Sequence, residues 1–256
     1  MQIDLNCDMG EGFGVYSIGS DEQAMPFITS ANIACGFHAS DPATIWKTVQ
    51  MAKANGVSVG AHPSYPDLVG FGRRPMEVSA EDVMADVIYQ IGALSAFCKR
   101  EGVKLQHVKP HGALYNKAAV SSAIALAVAE AIKSVDDGLY MVCLSNSEMV
   151  TAARTTGIRY VEEVFADRAY TREGKLVPRT QAGAVIHDPA VAAERVLGMV
   201  RNRSVVAIDG TVVPINAQTI CVHGDTAEAL EMIRIIKSRL EQEKVQLKAF
   251  GGYEAS

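Results

Sequence analysis

The chain lacks the signatures that would assign it at once to a common class. No run approaches the roughly eighteen consecutive apolar residues of a membrane helix. The start Met1-Gln2-Ile3-Asp4 lacks the basic-then-apolar pattern of a secretory leader, so the expected location is the cytoplasm. No C-x-x-C pair suggests structural zinc, and no G-x-x-x-x-G-K-[ST] occurs, so a P-loop is absent. Charge excess is small: 24 Lys and Arg against 29 Asp and Glu give a net charge of -5 and a pI near 5.7. Nothing electrostatic therefore points to nucleic acid or an anionic membrane as the main partner, although local basic groups can bind a small anion. Linker-like and low-complexity segments are also missing. One domain over residues 1–250 is expected, with 251–256 as a frayed, disordered tail.

What is present is a regular alternation. Short apolar runs that end in polar residues or glycine predict seven strands, near 2–7, 31–36, 57–60, 105–109, 139–144, 159–165 and 219–223. Helical patterns fill the gaps, over 41–55, 79–101, 118–134, 147–155, 189–202 and 226–243. Ser79 with Asp82 makes a capping signal, and Gly56 and Gly102 stand where a helix end needs a left-handed residue. The alternation breaks between Tyr170 and Asn216. There Arg172-Glu173-Gly174-Lys175 and Asp209-Gly210 carry turn signatures, which predicts an insertion of hairpins and one helix before the last strand. The class is α/β, a barrel or open sheet of parallel strands. Five cysteines lie within apolar strand-like runs (Cys7, Cys35, Cys143, Cys221) or a helical pattern (Cys98), so they read as buried thiols. Cys7 and Cys35 accordingly read as packing residues and not as nucleophiles.

The chemistry-bearing residues collect at the carboxyl ends of these strands. His38, His62, His111 and His223, four of the six histidines, each follow an apolar run; Asp8 ends the first run and Asp167-Arg168 the sixth. Carboxyl ends of parallel strands converge on one face, so this placement describes an enzyme mouth. A lone histidine after a strand is more often structural, but four at equivalent ends favour a site. Asn6-Cys7-Asp8-Met9-Gly10-Glu11-Gly12-Phe13-Gly14 sets two carboxylates in a glycine loop that lets backbone approach a ligand. Its glycines do not fit a dinucleotide fingerprint, and a solvated turn explains the loop alone equally well. In His107-Val108-Lys109-Pro110-His111, a lysine directed into a barrel needs an anionic partner. A plain pairing of Lys109 with Asp8 or Glu11 that merely fastens loops is the competing reading. Arg73, Arg74, Arg168 and Arg179 supply forks that match carboxylate or phosphate oxygens, whereas Asp41 reads as a helix cap.

Taken together, these segments resemble the LamB/YcsF family: the loop from Asp4 to Gly14, the two histidine segments around His38 and His62, Val108-Lys109-Pro110-His111-Gly112-Ala113-Leu114-Tyr115-Asn116, Phe165-Ala166-Asp167-Arg168-Ala169-Tyr170 and Ile220-Cys221-Val222-His223-Gly224-Asp225-Thr226. The likeness runs from about residue 2 to 245; Ser40 and Ser64 depart from it by standing where glycine is expected in many relatives. The resemblance implies a single (β/α)7 barrel, TIM-like and of the deacetylase-superfamily type. It implies the activity of the A subunit of an ATP-dependent 5-oxoprolinase, which converts 5-oxo-L-proline, ATP and two waters to L-glutamate, ADP and phosphate with partner subunits B and C. ATP is then a co-substrate of the complex. On that reading Asp8 or Glu11 is the general base, and Lys109 and Arg168, with Arg73, hold the phosphorylated oxygen or the substrate carboxylate. His38, His62, His111 and His223 move protons and orient groups, with Asp167 and Asp225 as their supports. A divalent metal is left open, with Asp8, His38 and His62 as candidate ligands. That set belongs to the rival reading, a metal-dependent deacetylase or amidohydrolase of a small or carbohydrate substrate. A third reading is a non-catalytic scaffold subunit.

Overall fold

The computed structural model describes residues 1–222 and 227–251. Its elements are β1 (Gln2–Met9), α1 (Asp21–Ala24), β2 (Ser30–Ala34), α2 (Pro42–Asn55), β3 (Ser58–His62), α3 (Ala80–Glu101), β4 (Leu105–Val108), α4 (Gly112–Ala118), α5 (Ser122–Val135), β5 (Tyr140–Leu144), α6 (Glu148–Thr156), β6 (Arg159–Phe165), α7 (Pro189–Asn202), β7 (Ser204–Val206), β8 (Val212–Pro214), β9 (Thr219–Cys221), α8 (Ala227–Gln242) and β10 (Gln246–Leu247). Parallel pairing runs β1-β2-β3-β4-β5-β6-β9, and β9 pairs back onto β1 through Asp4 with Thr219 and Asn6 with Cys221. The closed (β/α)7 barrel is thus the one expected. β10 adds beside the start of β1.

Alternation along β1 shows how the layers divide. Ile3, Leu5, Cys7 and Met9 join the hydrophobic core, while Asp4, Asn6 and Asp8 make contacts inside the barrel. Successive strand side chains point to opposite faces, so this parity puts apolar groups under the helices and polar groups within the ring. Contacts between strands that are not neighbours prove the placement: Asp8 of β1 meets Lys109 after β4, Asn32 of β2 meets His107 of β4, and Lys109 meets Glu163 of β6. A polar barrel interior is stable only when its donors and acceptors match. The helices supply the apolar half: Val83, Val87, Ile91 and Leu94 of α3 recur at helical spacing and are buried.

The caps behave as their residue types dictate. Asp41 accepts from the amides of Ala43 and Thr44, Ser79 from Asp82, and Gly56 and Gly102 end their helices at φ +67° and +66°. All five cysteines are free and buried, and burial pushes the Cys35 thiol up to about 12. The helix expected over 118–134 is α5, and α4 precedes it where no helix is expected. α4 starts at His111 without a side-chain cap and is tied by the amide of Ala113 to Gly72 O, a tertiary contact that local pattern does not reveal. The insertion contains the expected pieces. Tyr170 pairs with Leu176 around a turn at Gly174, and β7 pairs antiparallel with β8 across Asp209-Gly210. Among the described residues no single helix is long and apolar enough to cross a membrane.

Candidate functional site

Asp8, Glu11, His62, Lys109, His111 and Arg168 line one cavity of about 620 Å³ at the carboxyl end of the barrel. That volume lies within the usual range of small-molecule sites. Asp8 is the next-to-last residue of β1. Its Oδ1 accepts from Asn32 at 2.9 Å and from Lys109 Nζ at 3.0 Å, and its Oδ2 lies 3.3 Å from His62 Nε2. Lys109 is only 2% exposed and sits among Asp8 Oδ1 and Glu163 Oε1 at 3.0 Å, Asn6 Oδ1 at 3.2 Å and Cys221 Sγ at 3.0 Å. Burial alone would lower its pKa. The surrounding Asp8, Cys221 and Glu163 outweigh that and hold it well above 10.5, so the ammonium is permanent. Both readings of Lys109, as a site residue and as the partner of Asp8, describe the same contact.

Glu163 is the main residue that strand-end reasoning misses. It is fully buried, and besides Lys109 it accepts from Asn6 Nδ2 at 3.0 Å and from Tyr115 OH at 2.7 Å. The available signal is the pair Glu162-Glu163 inside an otherwise apolar strand, since one of two adjacent residues must face the barrel. Asn6, Asn32 and His107 complete the inner network and were open to the same parity argument. His107 packs so closely on Gly60 that a Cβ there would lie 2.0 Å from His107 Nε2.

The histidines form a second layer above Asp8. One ligand atom each from Glu11, His38, His62 and His111 lies within 4.8 Å of the others, and all four residues are buried. His38 and His111 stack with ring centroids 3.8 Å apart. His62 Nδ1 is 2.6 Å from Lys109 O and His111 Nε2 is 2.9 Å from Phe71 O. A carbonyl only accepts, so both of those nitrogens carry hydrogen. The remaining two nitrogens, His62 Nε2 and His111 Nδ1, face each other at 3.0 Å. Two lone pairs repel at that distance unless a proton or another cation lies between them. His38 adds a third nitrogen: its Nε2 is 3.5 Å from Glu11 Oε1, and neither ring nitrogen makes a hydrogen bond among the described residues. Burial, with His111 and His62 nearby, holds the pKa of His38 well below 6.5; burial and His62 do the same for His111. Neutral imidazoles with a carboxylate are a donor set that suits a borderline divalent cation.

The backbone around this layer is under constraint. Phe71 adopts φ +55°, unusual for a bulky residue, and thereby aims its carbonyl at His111. Gly72 follows at φ +63°, where a Cβ would lie 2.3 Å from Ser64 Oγ and 2.8 Å from His38 Cβ. Ser40 holds φ +75°, a conformation glycine adopts more readily, in keeping with glycine being expected there. Arg73 is exposed beside the Phe71 ring, with its guanidinium carbon 4.9 Å from the centroid. Asp167 is buried next to Arg168. The guanidinium of Arg168 is pulled down to about 10 by burial and then by Arg179, and so stays charged at neutral pH. Compared with the expected metal set, His38 and His62 are joined by Glu11 and His111, while Asp8 sits at their edge bound to Lys109. His223 and Asp225 lie outside the described residues.

Fold and site together define a closed parallel (β/α)7 barrel with a buried carboxylate-histidine centre at its mouth. At the level of fold alone, the family 4 carbohydrate esterase from Streptomyces lividans matches with a TM-score of 0.51 and 12% identity, over 98% of this chain and 93% of that one. The LamB/YcsF family model matches residues 3–255, and the chain belongs to that family. It is 53% identical to a protein from Clostridium beijerinckii named as the A subunit of 5-oxoprolinase, over 96% of both chains. It is 54% identical to the protein of that name from Symbiobacterium thermophilum, over 98% of this chain and 96% of the relative. A crystal structure described as a lactam utilization protein from Thermus thermophilus superposes with a TM-score of 0.93 at 50% identity, over 98% of this chain and 100% of that one.

Proposed function

We propose that this chain is the lactam-handling A subunit of an ATP-dependent 5-oxoprolinase, working in the cytoplasm with subunits B and C. The observation that carries this reading is the mouth itself, where Asp8 is paired with Lys109 beneath the layer of His38, His62 and His111. The names borne by near-full-length relatives agree with it, the A subunit of 5-oxoprolinase in one case and a lactam utilization protein in another. A five-membered lactam resists hydrolysis. Phosphoryl transfer from ATP to the amide oxygen releases ADP and activates the ring carbon; one water adds to that carbon and the C–N bond breaks to leave a glutamyl acyl phosphate, and a second water cleaves it to glutamate and phosphate.

Asp8 is the base that takes the proton from water, its carboxylate held at the mouth by Asn32 and Lys109. Lys109 keeps Asp8 charged and in place, and Glu163 keeps Lys109 directed at it. The rings of His38, His62 and His111 orient the ligand and pass protons. Glu11 with these three histidines would also hold a divalent ion, and such an ion supplies Lewis-acid polarisation of the lactam oxygen. Nucleotide chemistry is assigned to the complex with B and C, since this sequence has no P-loop. The deacetylase reading is not favoured: the carbohydrate esterase shares 12% of residues, against about half for the lactam-related chains.

The test is reconstitution. The isolated chain should show little ATP hydrolysis stimulated by 5-oxo-L-proline, and the three subunits together should release ADP and glutamate. Asp8→Asn should fold normally and lower glutamate formation by about a thousandfold, the scale of lost general-base catalysis. Robust stimulated turnover by the partner-free chain would overturn the division of labour. Unchanged turnover in Asp8→Asn would move the base to Glu11 or out of this loop.

A further inference from the structure

The cavity contains two buried cations, and their hydrogen-bond capacity separates their roles. An ammonium has three hydrogens. Those of Lys109 face four acceptors of the protein, at 3.0 to 3.2 Å. No donor of Lys109 is left for a ligand. A guanidinium has five N–H donors in a rigid fork. Arg168 uses Nη2, which donates to Val177 O at 2.6 Å, and its Nε is buried without a hydrogen-bond partner. The residue is only 6% exposed, and the neighbouring Asp167 acts on it electrostatically without closing an ion pair with it among the described residues.

Unfilled donors on a buried cation are costly, so this state is expected where a ligand completes the set. Arg168 is also held in position. Its backbone bridges Val185, its carbonyl accepts from Arg195 Nη2 at 2.9 Å, and its fork is anchored on Val177. The wall beside it is apolar, with Leu176, Val177 and Phe165 lining the same cavity, and Arg179 adds a second positive group there. A preset fork against an apolar wall is the arrangement that reads a flat, two-oxygen anion.

We propose that Arg168 is the specificity-determining residue that binds the carboxylate of the ligand, so that the site takes cyclic amides bearing an acid and discriminates against neutral lactams. The ligand's identity rests on the lactam reading above; the oxyanion subsite does not. Lys109 then has no direct part in holding that carboxylate and acts through Asp8.

The test measures binding to the full chain by calorimetry, with 5-oxo-L-proline and its uncharged analogue 5-oxo-L-prolinamide as probes. The native chain should prefer the acid by about tenfold to a hundredfold, the scale of a hydrogen bond to a charged group. Arg168→Gln should bring the two affinities together with that of the amide unchanged, and Arg168→Lys should keep part of the preference. A ratio of affinities cancels general losses of folded protein. If Arg168→Gln does not fold, Arg168→Lys and Arg179→Gln decide, with a larger fall in the ratio for Arg168→Lys expected. An undiminished preference for the acid in Arg168→Gln, or a larger fall in Arg179→Gln than in Arg168→Lys, overturns the assignment. If the native chain binds neither lactam, the lactam reading fails and the subsite is judged with sodium acetate and inorganic phosphate. Thermal stabilisation by acetate that Arg168→Gln abolishes supports a carboxylate site. Stabilisation by phosphate alone, or by either ion equally in both proteins, overturns it.

Discussion

The two ends of the barrel interior use the same kinds of residue and leave them in opposite states. At the amino end the carboxylate of Asp4 accepts from Thr29 at 2.6 Å, from Ser30 at 2.7 Å and from Thr219. Each acceptor there meets a hydroxyl, and the layer is closed within the protein. At the carboxyl end three imidazoles and Glu11 turn acceptor atoms toward one another, and His38 makes no hydrogen bond among the described residues. Between the two, Asn6 links the layers by donating to Thr219 and Glu163 and accepting from Asn32 and Lys109. Buried polarity that is internally matched holds a fold together; buried acceptors that converge require something from outside. The comparison therefore separates structural charge from functional charge within one column of side chains.

Removal of Lys109 probes the junction and should give the largest effect. Lys109→Ala leaves Asp8 and Glu163 buried without their cation, and breaking a buried pair in this way typically costs about 3–5 kcal/mol. Turnover per folded molecule in the reconstituted complex should also fall by roughly a hundredfold or more. Adding Glu163→Gln should restore part of the stability and none of the turnover. Denaturant unfolding and single-preparation kinetics measure both. Lost stability with intact turnover would place Lys109 with the structural layer and erase the distinction.

The amino-end layer should respond to pH without touching function. Burial raises Asp4 from 3.8 to about 6, against the pull of its hydroxyl partners. The folded state therefore holds this proton more tightly than the unfolded chain. The stability it contributes is fully present below 3.8 and is lost as pH rises through about 6. Relative to the native protein, Asp4→Asn should gain on the order of 3 kcal/mol between pH 4 and pH 8. Unfolding curves at the two pH values check this, and a relative stability that does not change with pH counts against it. Turnover should be nearly unaffected, since Asp4 is not among the mouth residues. The smallest expected effect is at Ser40, buried at φ +75° with no hydrogen bond from Oγ among the described residues. Ser40→Gly should raise stability by about 1 kcal/mol, and a loss of stability would show that the hydroxyl has a partner that matters.

Most of the architecture was legible because barrel strands and their covering helices declare themselves locally, through apolar runs, caps such as Asp41 and Ser79, and the left-handed ends Gly56 and Gly102. α4 was not, because its start depends on the contact of Ala113 with Gly72. At the site, His38, His62, His111, Asp8, Glu11 and Lys109 were readable as strand-end residues. Glu163 was marked only by strand parity and Tyr115 not at all, since their pairing is a contact across the barrel between residues 48 apart in sequence. The choice of Glu11 and His111 over Asp8 as companions of His38 and His62 was also hidden. It depends on the carbonyls of Lys109 and Phe71, which fix which ring nitrogen is free, and no pattern of residue types reveals them.

The difference between the two ends is tested most directly by titrating the chelator-treated chain with zinc or manganese chloride in a calorimeter. One ion per chain should bind at the carboxyl end with micromolar or tighter affinity, held by the facing His62 Nε2 and His111 Nδ1. That binding should vanish in His62→Ala and His111→Ala and persist in Asp4→Asn. Absence of binding to the native chain, or equal binding in His62→Ala, would contradict the account.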